Sequence, residues 1–187
     1  MVECTMVSTL LDGLPNEVAL QCLARVPFVS HPILQLVCRS WRASVRNGEL
    51  LNVRNQIGAT EELLCVLAFE PENIWQLYDP RRDKWITLPV MPSRIRNIAR
   101  FGVASVAGKL YVIGGGSDRV DPLTGDHDTI FASNEVWSYD PLHRLWAQRA
   151  PMLVARAMFA CCALDGKIIV AGGFTNCRKS ISEAEIY

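Results

Sequence analysis

Two glycine pairs, Gly114-Gly115 and Gly172-Gly173, each close a short apolar run, Lys-Leu-Tyr-Val-Ile in one case and Lys-Ile-Ile-Val-Ala in the other. The pairs lie 58 positions apart, and Gly108-Lys109 and Gly166-Lys167 keep the same offset. A second spacing runs beside it: Tyr78-Asp79-Pro80 and Trp85 recur 61 positions later as Tyr139-Asp140-Pro141 and Trp146. Repetition at this period restricts the chain to stacked or radially arranged units, because one such unit cannot bury its own apolar faces.

Each unit reads as four short strands. In the fullest copy these are Phe101 to Val106, Lys109 to Ile113, Glu135 to Tyr139 and Leu145 to Gln148, joined at Ala107-Gly108, by a long Asp/Gly loop, and at Asp140-Pro141. The glycine pairs mark places where backbone approaches backbone or φ is positive. Trp85 and Trp146 are large apolar bodies expected to pack between neighbouring sheets. Four-stranded sheets in radial array form a β-propeller.

The residues at this point resemble the kelch repeat: the strand ending in Gly-Gly, the Tyr-Asp-Pro turn, and a Trp followed by Pro151-Met152. Gly114, Gly115, Gly172, Gly173, Tyr78, Tyr139, Trp85 and Trp146 are the structural kelch positions that the resemblance implies. The first copy is degraded. Its second strand, Leu63 to Phe69, ends without a glycine pair, while Trp75 to Asp79 and Lys84 to Leu88 match the third and fourth strands. The loop Gly116 to Asn134 holds ten more residues than its counterpart after Gly173, and long loops on a rigid scaffold often carry binding function.

The first sixty residues lack strand rhythm. Leu14-Pro15-Asn16-Glu17 reads as a helix start, with proline at the first helical position and Glu17 at the positive end of the dipole. Leu14, Val18, Cys22 and Val26 recur at four-residue spacing beside Leu20 and Leu23, and Ile33, Leu34, Leu36, Val37 and Trp41 supply a second stripe. Read blandly, the stripes are the core of a small helical subdomain. Leu-Pro-Asn-Glu-Val followed by Leu36-Val37-Cys38-Arg39-Ser40-Trp41-Arg42 also resembles an F-box over residues 10–50. That resemblance implies docking to the Skp-family adaptor of an SCF-type cullin-RING ubiquitin ligase. The docking residues carried over by position are Leu14, Pro15, Val18, Leu23, Ile33, Leu36, Val37 and Trp41.

The expected fold is α+β and multidomain: a small helical F-box, then an incomplete kelch propeller of about two and a half four-stranded antiparallel blades. The expected divisions are a disordered stretch at 1–9, the F-box at 10–50, a linker at 51–62, a degenerate blade at 63–92, a full repeat at 93–152 and a partial one at 153–187. The linker reads as a helix or a strand, and 50–58 could supply the strand that pins a propeller's last blade. The chain stops at Glu185-Ile186-Tyr187, inside a strand, which points to a truncated product, an isoform or an incomplete gene model. An exposed sheet edge there favours aggregation or a partner.

Nineteen basic and nineteen acidic residues give no net charge and no basic excess, which excludes a typical nucleic-acid binder. The seven cysteines form no C-x-x-C pair and sit in apolar runs, as small buried hydrophobes of a reducing compartment do. Adjacent Cys161 and Cys162 fall on opposite faces of a strand. Apolar runs are too short to span a bilayer, so the expected location is cytoplasmic, nuclear or both, without membrane contact.

Asp118, Asp121, Asp126 and Asp128 share one loop, but Pro122 breaks the ligand spacing and no late bidentate glutamate follows, so a solvated loop is the better reading than a calcium site. Histidines 31, 127 and 143 have no converging ligands, and neither metal nor cofactor is expected. Arg94, Arg96, Arg100 and Arg156 precede first strands. They are either surface arginines stacked on neighbouring sheets or a basic rim that contacts an acidic substrate.

The F-box/kelch pairing, with plant-like spacing, implies a non-catalytic substrate receptor that holds an unknown target for ubiquitination and degradation. The alternatives are a scaffold bound to the adaptor alone, and an enzyme, since some kelch propellers resemble copper radical oxidases. Three scattered histidines disfavour the latter.

Overall fold

The computed structural model describes residues 9–68, 74–95, 97–120, 123–125 and 130–187. Four helices come first: α1 (Asn16–Ala24), α2 (His31–Val37), α3 (Arg39–Arg46) and α4 (Glu49–Gln56), with a 3-10 turn at Phe28–Ser30 between the first two. Among the described residues twelve strands follow: β1 (Leu64–Ala68), β2 (Ile74–Asp79), β3 (Lys84–Thr87), β4 (Ile98–Ala99), β5 (Gly102–Val106), β6 (Lys109–Ile113), β7 (Gly116–Ser117), β8 (Val136–Asp140), β9 (Leu145–Gln148), β10 (Ala160–Leu164), β11 (Lys167–Ala171) and β12 (Ala184–Ile186). Helices followed by successive small sheets are the α+β arrangement that the repeats imply. Contacts divide the chain into one unit of residues through Leu64 with Asp79–Ile86, and another of Cys65–Tyr78 with Thr87–Tyr187.

In the first unit Pro15 occupies the N-cap of α1 rather than the first helical position, at φ −57° and ψ 141°. Its ring fixes φ near a value common to helix and extended chain, so ψ alone decides the boundary. Gly48, at φ 80°, turns the chain between α3 and α4. The segment offered as a propeller-closing strand is instead the helix α4, whose Leu50 and Arg54 face inward. The core takes Ala19, Leu20, Leu23 and Ala24 from α1, Leu34 from α2, Val45 from α3 and Leu50 from α4.

In the second unit the sheet β5-β6-β8-β9 is antiparallel throughout, and β10-β11-β12 repeats its first three strands. β5 packs on β10, and Ala104, Ile113, Val136, Met152, Ile168 and Val170 form one buried cluster. Trp75 is fully buried, with Phe101 at 5.3 Å and Trp146 at 6.1 Å between ring centroids. Trp146 also stacks at a tilt on buried Tyr139, 5.2 Å away, and its Nε1 donates to the Pro89 carbonyl at 2.7 Å. Trp85, which belongs to the first unit, differs from the expected buried position: it is 55% exposed. Trp146 has a preceding sheet to rest on, whereas the chain ahead of β1–β3 is helical.

The Tyr-Asp-Pro turns have a common cause. Asp140 Oδ1 accepts from the N–H groups of Leu142 and His143, and Asp79 Oδ1 accepts from those of Arg81 and Arg82. The carboxylate thus holds the turn that a backbone carbonyl would otherwise close. Side-chain hydrogen bonding from Arg82 holds the Asp79 carboxyl below its usual range.

The glycine pairs allow a close crossing. Gly115 and Gly173 sit at φ 81° and 90°, and a Cβ on either would lie 2.6 Å from the carbonyl oxygen of Ala99 or Ala157, respectively. There β4 pairs with β7 through Ile98–Ser117 and Ala99–Gly116, and Ala157 bridges Phe174 at the matching place in the next repeat. The cysteines depart from expectation. Cys22, Cys38, Cys162 and Cys177 are exposed and Cys65 and Cys161 half-buried, because the apolar runs lie on two-faced elements with only one face covered.

The paired replacements Gly173→Ala and Gly166→Ala separate these effects. Gly166 has φ 73° but open space around it, so alanine there costs roughly 1–2 kcal/mol from backbone strain alone. At Gly173 the clash with Ala157 adds to the same strain, and chemical denaturation will show a distinctly larger loss of stability.

Candidate functional site

The apolar stripes of the first unit divide between inside and outside. Leu20, Leu23 and Leu34 are buried, whereas Leu14, Val18, Ile33, Leu36 and Val37 are exposed, Leu36 by 76%. Leu23 is therefore a core residue and not part of an exposed docking face. Pro15 is exposed beside Leu14. Trp41 is half-buried and braces the unit: its Nε1 donates to the Leu10 carbonyl at 2.6 Å, and Leu10 N–H donates to Asn16 Oδ1 at 2.9 Å. α2 is tied to α3 by Arg42 Nε donating to the Gln35 carbonyl and Arg46 Nε donating to Gln35 Oε1. Leu14 precedes α1, and the other exposed apolar residues thus stand on helices whose positions are fixed from behind.

A polar knot lies beneath them. The buried Arg54 guanidinium donates to the carbonyls of Ala24 and Val26 at the end of α1 and pairs with Glu61. Glu61 also accepts from Phe28 N–H at 3.0 Å. Arg54 satisfies carbonyls that a helix end leaves without partners. Buried His31 lies against Phe28 with ring centroids 5.5 Å apart, and its Nε2 meets the Val26 carbonyl at 3.3 Å. Burial, together with the Arg54 charge, pulls its pKa down to about 4, so the ring is neutral at pH 7. Sequence periodicity gave no sign of this knot, because Arg54 sits among Leu50, Val53 and Ile57 as one more polar position.

In the second unit the tight turns at Ala107-Gly108, Asp140-Pro141 and Asp165-Gly166 lie at one end of the sheets, and the longer loops lie at the other. The four arginines of the expected basic rim do not share one environment. Arg94 is exposed, and Arg96 lies outside the described residues. Arg100 is partly buried, bound to Asp118 at 2.7 Å and to the Ser117 carbonyl at 2.6 Å. Arg156 is fully buried and cannot be a rim residue: it pairs with Glu185 and donates to the carbonyls of Gly172 and Glu183. Glu185 accepts in addition from the N–H groups of Leu153 and Val154, and although burial opposes it, these bonds keep its carboxyl below the usual range.

The loop end holds a group that the sequence did not reveal. The Phe131 ring carries the Arg100 guanidinium at 4.9 Å and the Arg178 guanidinium at 5.1 Å from its centroid. Asn176 Oδ1 accepts from the N–H groups of Phe131 and Ala132, so the 174–180 turn is locked to the preceding loop. No group of three or more His, Cys, Asp or Glu among the described residues is placed to hold a metal. Asp121, Asp126, His127 and Asp128 of the acidic loop lie outside those residues. No described helix is long and apolar enough to cross a membrane.

An F-box domain model matches residues 11–52, and a Kelch motif model matches 98–153 and 155–187. The chain belongs to the F-box/kelch-repeat family. Among its relatives is the F-box/kelch-repeat protein SKIP30 of Arabidopsis thaliana, 62% identical over 97% of this chain and 51% of that protein. A second F-box/kelch-repeat protein of the same plant is 36% identical over 97% of this chain and 47% of the other, and the F-box protein AFR is 29% identical over 90% and 44%. The F-box/kelch chain spans about half the length of these relatives. A solved structure titled "Structure of YjhT" is similar over 59% of this chain and 31% of its own, at 24% identity and a TM-score of 0.47.

The F-box match ends inside α4, two residues before Arg54. His31 lies within the match, and its pH response is therefore a probe of F-box integrity. Unfolded histidine titrates near 6.5, whereas His31 in the folded chain takes a proton only near pH 4. Stability is full above pH 6.5 and falls as the pH drops towards 4, because protons then favour the unfolded chain. Urea denaturation at pH 7 and 4.5 will show wild type losing on the order of 2 kcal/mol more than His31→Gln across this interval.

Proposed function

We propose that this chain is a substrate-receptor subunit of an SCF-type ubiquitin ligase, its F-box docking a Skp-family adaptor and its kelch sheets holding a target protein. The observation that carries the reading is the exposure of Leu14, just before α1, and of Val18, Ile33, Leu36 and Val37 on helices whose own core is already filled by other residues. Solvated aliphatic side chains of this size gain free energy only when a partner covers them. An apolar helical face set into a partner groove is a recurrent recognition mode.

In this reading Leu14, Pro15, Val18, Ile33, Leu36 and Val37 contact the adaptor. Leu23 and Trp41 act from within, by filling and bracing the helices. The chain contributes no chemistry: it brings a target to a cullin-bound conjugating enzyme as a non-catalytic adaptor. This role would place the protein in the cytoplasm, the nucleus or both.

Co-purification of the full chain with a Skp-family adaptor tests this. Leu36→Glu removes about 2 kcal/mol of apolar burial and adds a desolvation cost, so binding will fall by at least about 30-fold while folding is unchanged. Leu14→Ala with Pro15→Ala will weaken binding in the same direction. Retention of full affinity by both variants would place the contact elsewhere.

A further inference from the structure

We infer that the loop end of the second unit, at the Arg100–Phe131–Arg178 cluster, binds an acidic peptide segment that also carries apolar side chains. This rests on the reading above that the kelch sheets hold a target, and it names the chemistry of that target's contact.

The cluster is built rather than incidental. Asn176 pins the backbone of Phe131 and Ala132, and the guanidinium planes of two arginines from different loops cover the ring. Stacking on an aromatic face removes rotamer freedom from a long side chain without using its N–H groups. Arg100 is the anchor, with Asp118 and the Ser117 carbonyl taking its terminal nitrogens. Arg178 is the presenting group. It is exposed, and no described carboxylate lies within ion-pair distance of it. It sits at φ 57° in a turn closed by its own N–H to the Thr175 carbonyl at 2.8 Å, with Lys179 N–H on Thr175 Oγ1 at 3.2 Å. That turn exposes Arg178 and Lys179 side by side.

The surroundings match an acidic, partly apolar ligand. Arg119 is exposed on the loop after β7, next to the Asp118 that Arg100 neutralises. Met158 is 57% exposed and bound by its N–H to the Arg100 carbonyl at 3.0 Å, and Phe174 is 38% exposed in the bridged segment between β11 and the arginine turn. The other acidic groups described on these loops are engaged locally: Glu135 with Ser93 and Trp137, Glu185 with Arg156, and Glu183 with Ser182 N–H. A stacked guanidinium offers a planar fork suited to carboxylate geometry, and the exposed methionine and phenylalanine offer apolar contact beside it.

The test uses the full chain and three fluorescein-labelled probes: a dodecapeptide of Asp and Glu containing two leucines, its Asn/Gln counterpart, and a single-stranded oligonucleotide of equal charge. Fluorescence anisotropy will show the acidic peptide bound at least about tenfold more tightly than its amide counterpart or the oligonucleotide, and more weakly as salt rises. Arg178→Glu will cost about tenfold or more and Phe131→Ala a similar factor, while Arg178→Lys will lose part of the affinity because an ammonium has no planar fork. Lys167→Glu, at the opposite end of the sheets, will change little. Equal binding of both peptides, tighter binding of the oligonucleotide, unchanged affinity in Arg178→Glu, or an equal loss in Lys167→Glu would each overturn the inference. Adaptor co-purification on the same samples keeps the two proposals apart. Arg178→Glu will retain adaptor binding, and a wild-type chain that binds the acidic peptide but no adaptor would sink the receptor reading alone.

Discussion

The close crossing at Gly115 and Gly173 is the constraint on which the second unit depends. A carbonyl oxygen of the preceding segment lies 2.6 Å from where any other residue would place its Cβ, and that approach is what lets β4 pair with β7 and Ala157 with Phe174. These short ladders tie the start of each unit to the end of its second strand. They also bring the loop holding Arg100 to the one holding Asp118, and the segment holding Met158 to the turn holding Arg178. The apolar cluster between β5 and β10 then fills the space behind them. A basic and apolar surface at the loop end therefore follows from a backbone device that carries no charge itself.

The first unit solves a different problem with the same economy. Four helices of seven to nine residues are too short to be stable alone, and packing must hold them. The core accepts one apolar set from each helix, and the Arg54–Glu61 knot ties the end of α1 to α4 and to the chain beyond it. Once those positions are filled, Leu36 and its neighbours have nowhere to go but outward. A buried ion pair is weak evidence of net stability, though breaking one partner is costly. Its observable effect here is geometric, since Glu61 also fixes Phe28, whose ring packs on His31.

Much of this organisation was legible in the residues, and the reasons are local. Gly-Gly after an apolar run, and Tyr-Asp-Pro with a downstream tryptophan, each encode a backbone requirement within a few positions, so strands β5, β6, β8 and β9 could be placed within a residue or so. The Leu-Pro start and the Val-Cys-Arg-Ser-Trp run marked the helical module, and family matches at 11–52 and over both repeats agree with that reading. Which apolar residue faces inward was not legible. Leu20 and Leu23 are buried and Val18 and Leu14 exposed because of what α4 covers, and α4 itself was an open choice between helix and strand. Arg156 misled for the same reason. Before a first strand it looks like a surface charge, and only Glu185, 29 positions later, shows why it is buried. Phe131 and Arg178 meet across 47 positions through a turn whose sequence carries no repeat signature.

In the proposed function the helices face a partner while the kelch sheets remain free for another. Hydrogen–deuterium exchange of the full chain, with and without a Skp-family adaptor, tests it most directly. The prediction is added protection over residues 14–18 and 31–37, with no change over β5, β6, β8, β10 and β11. Protection confined to the sheets, or none anywhere at saturating adaptor, would contradict it.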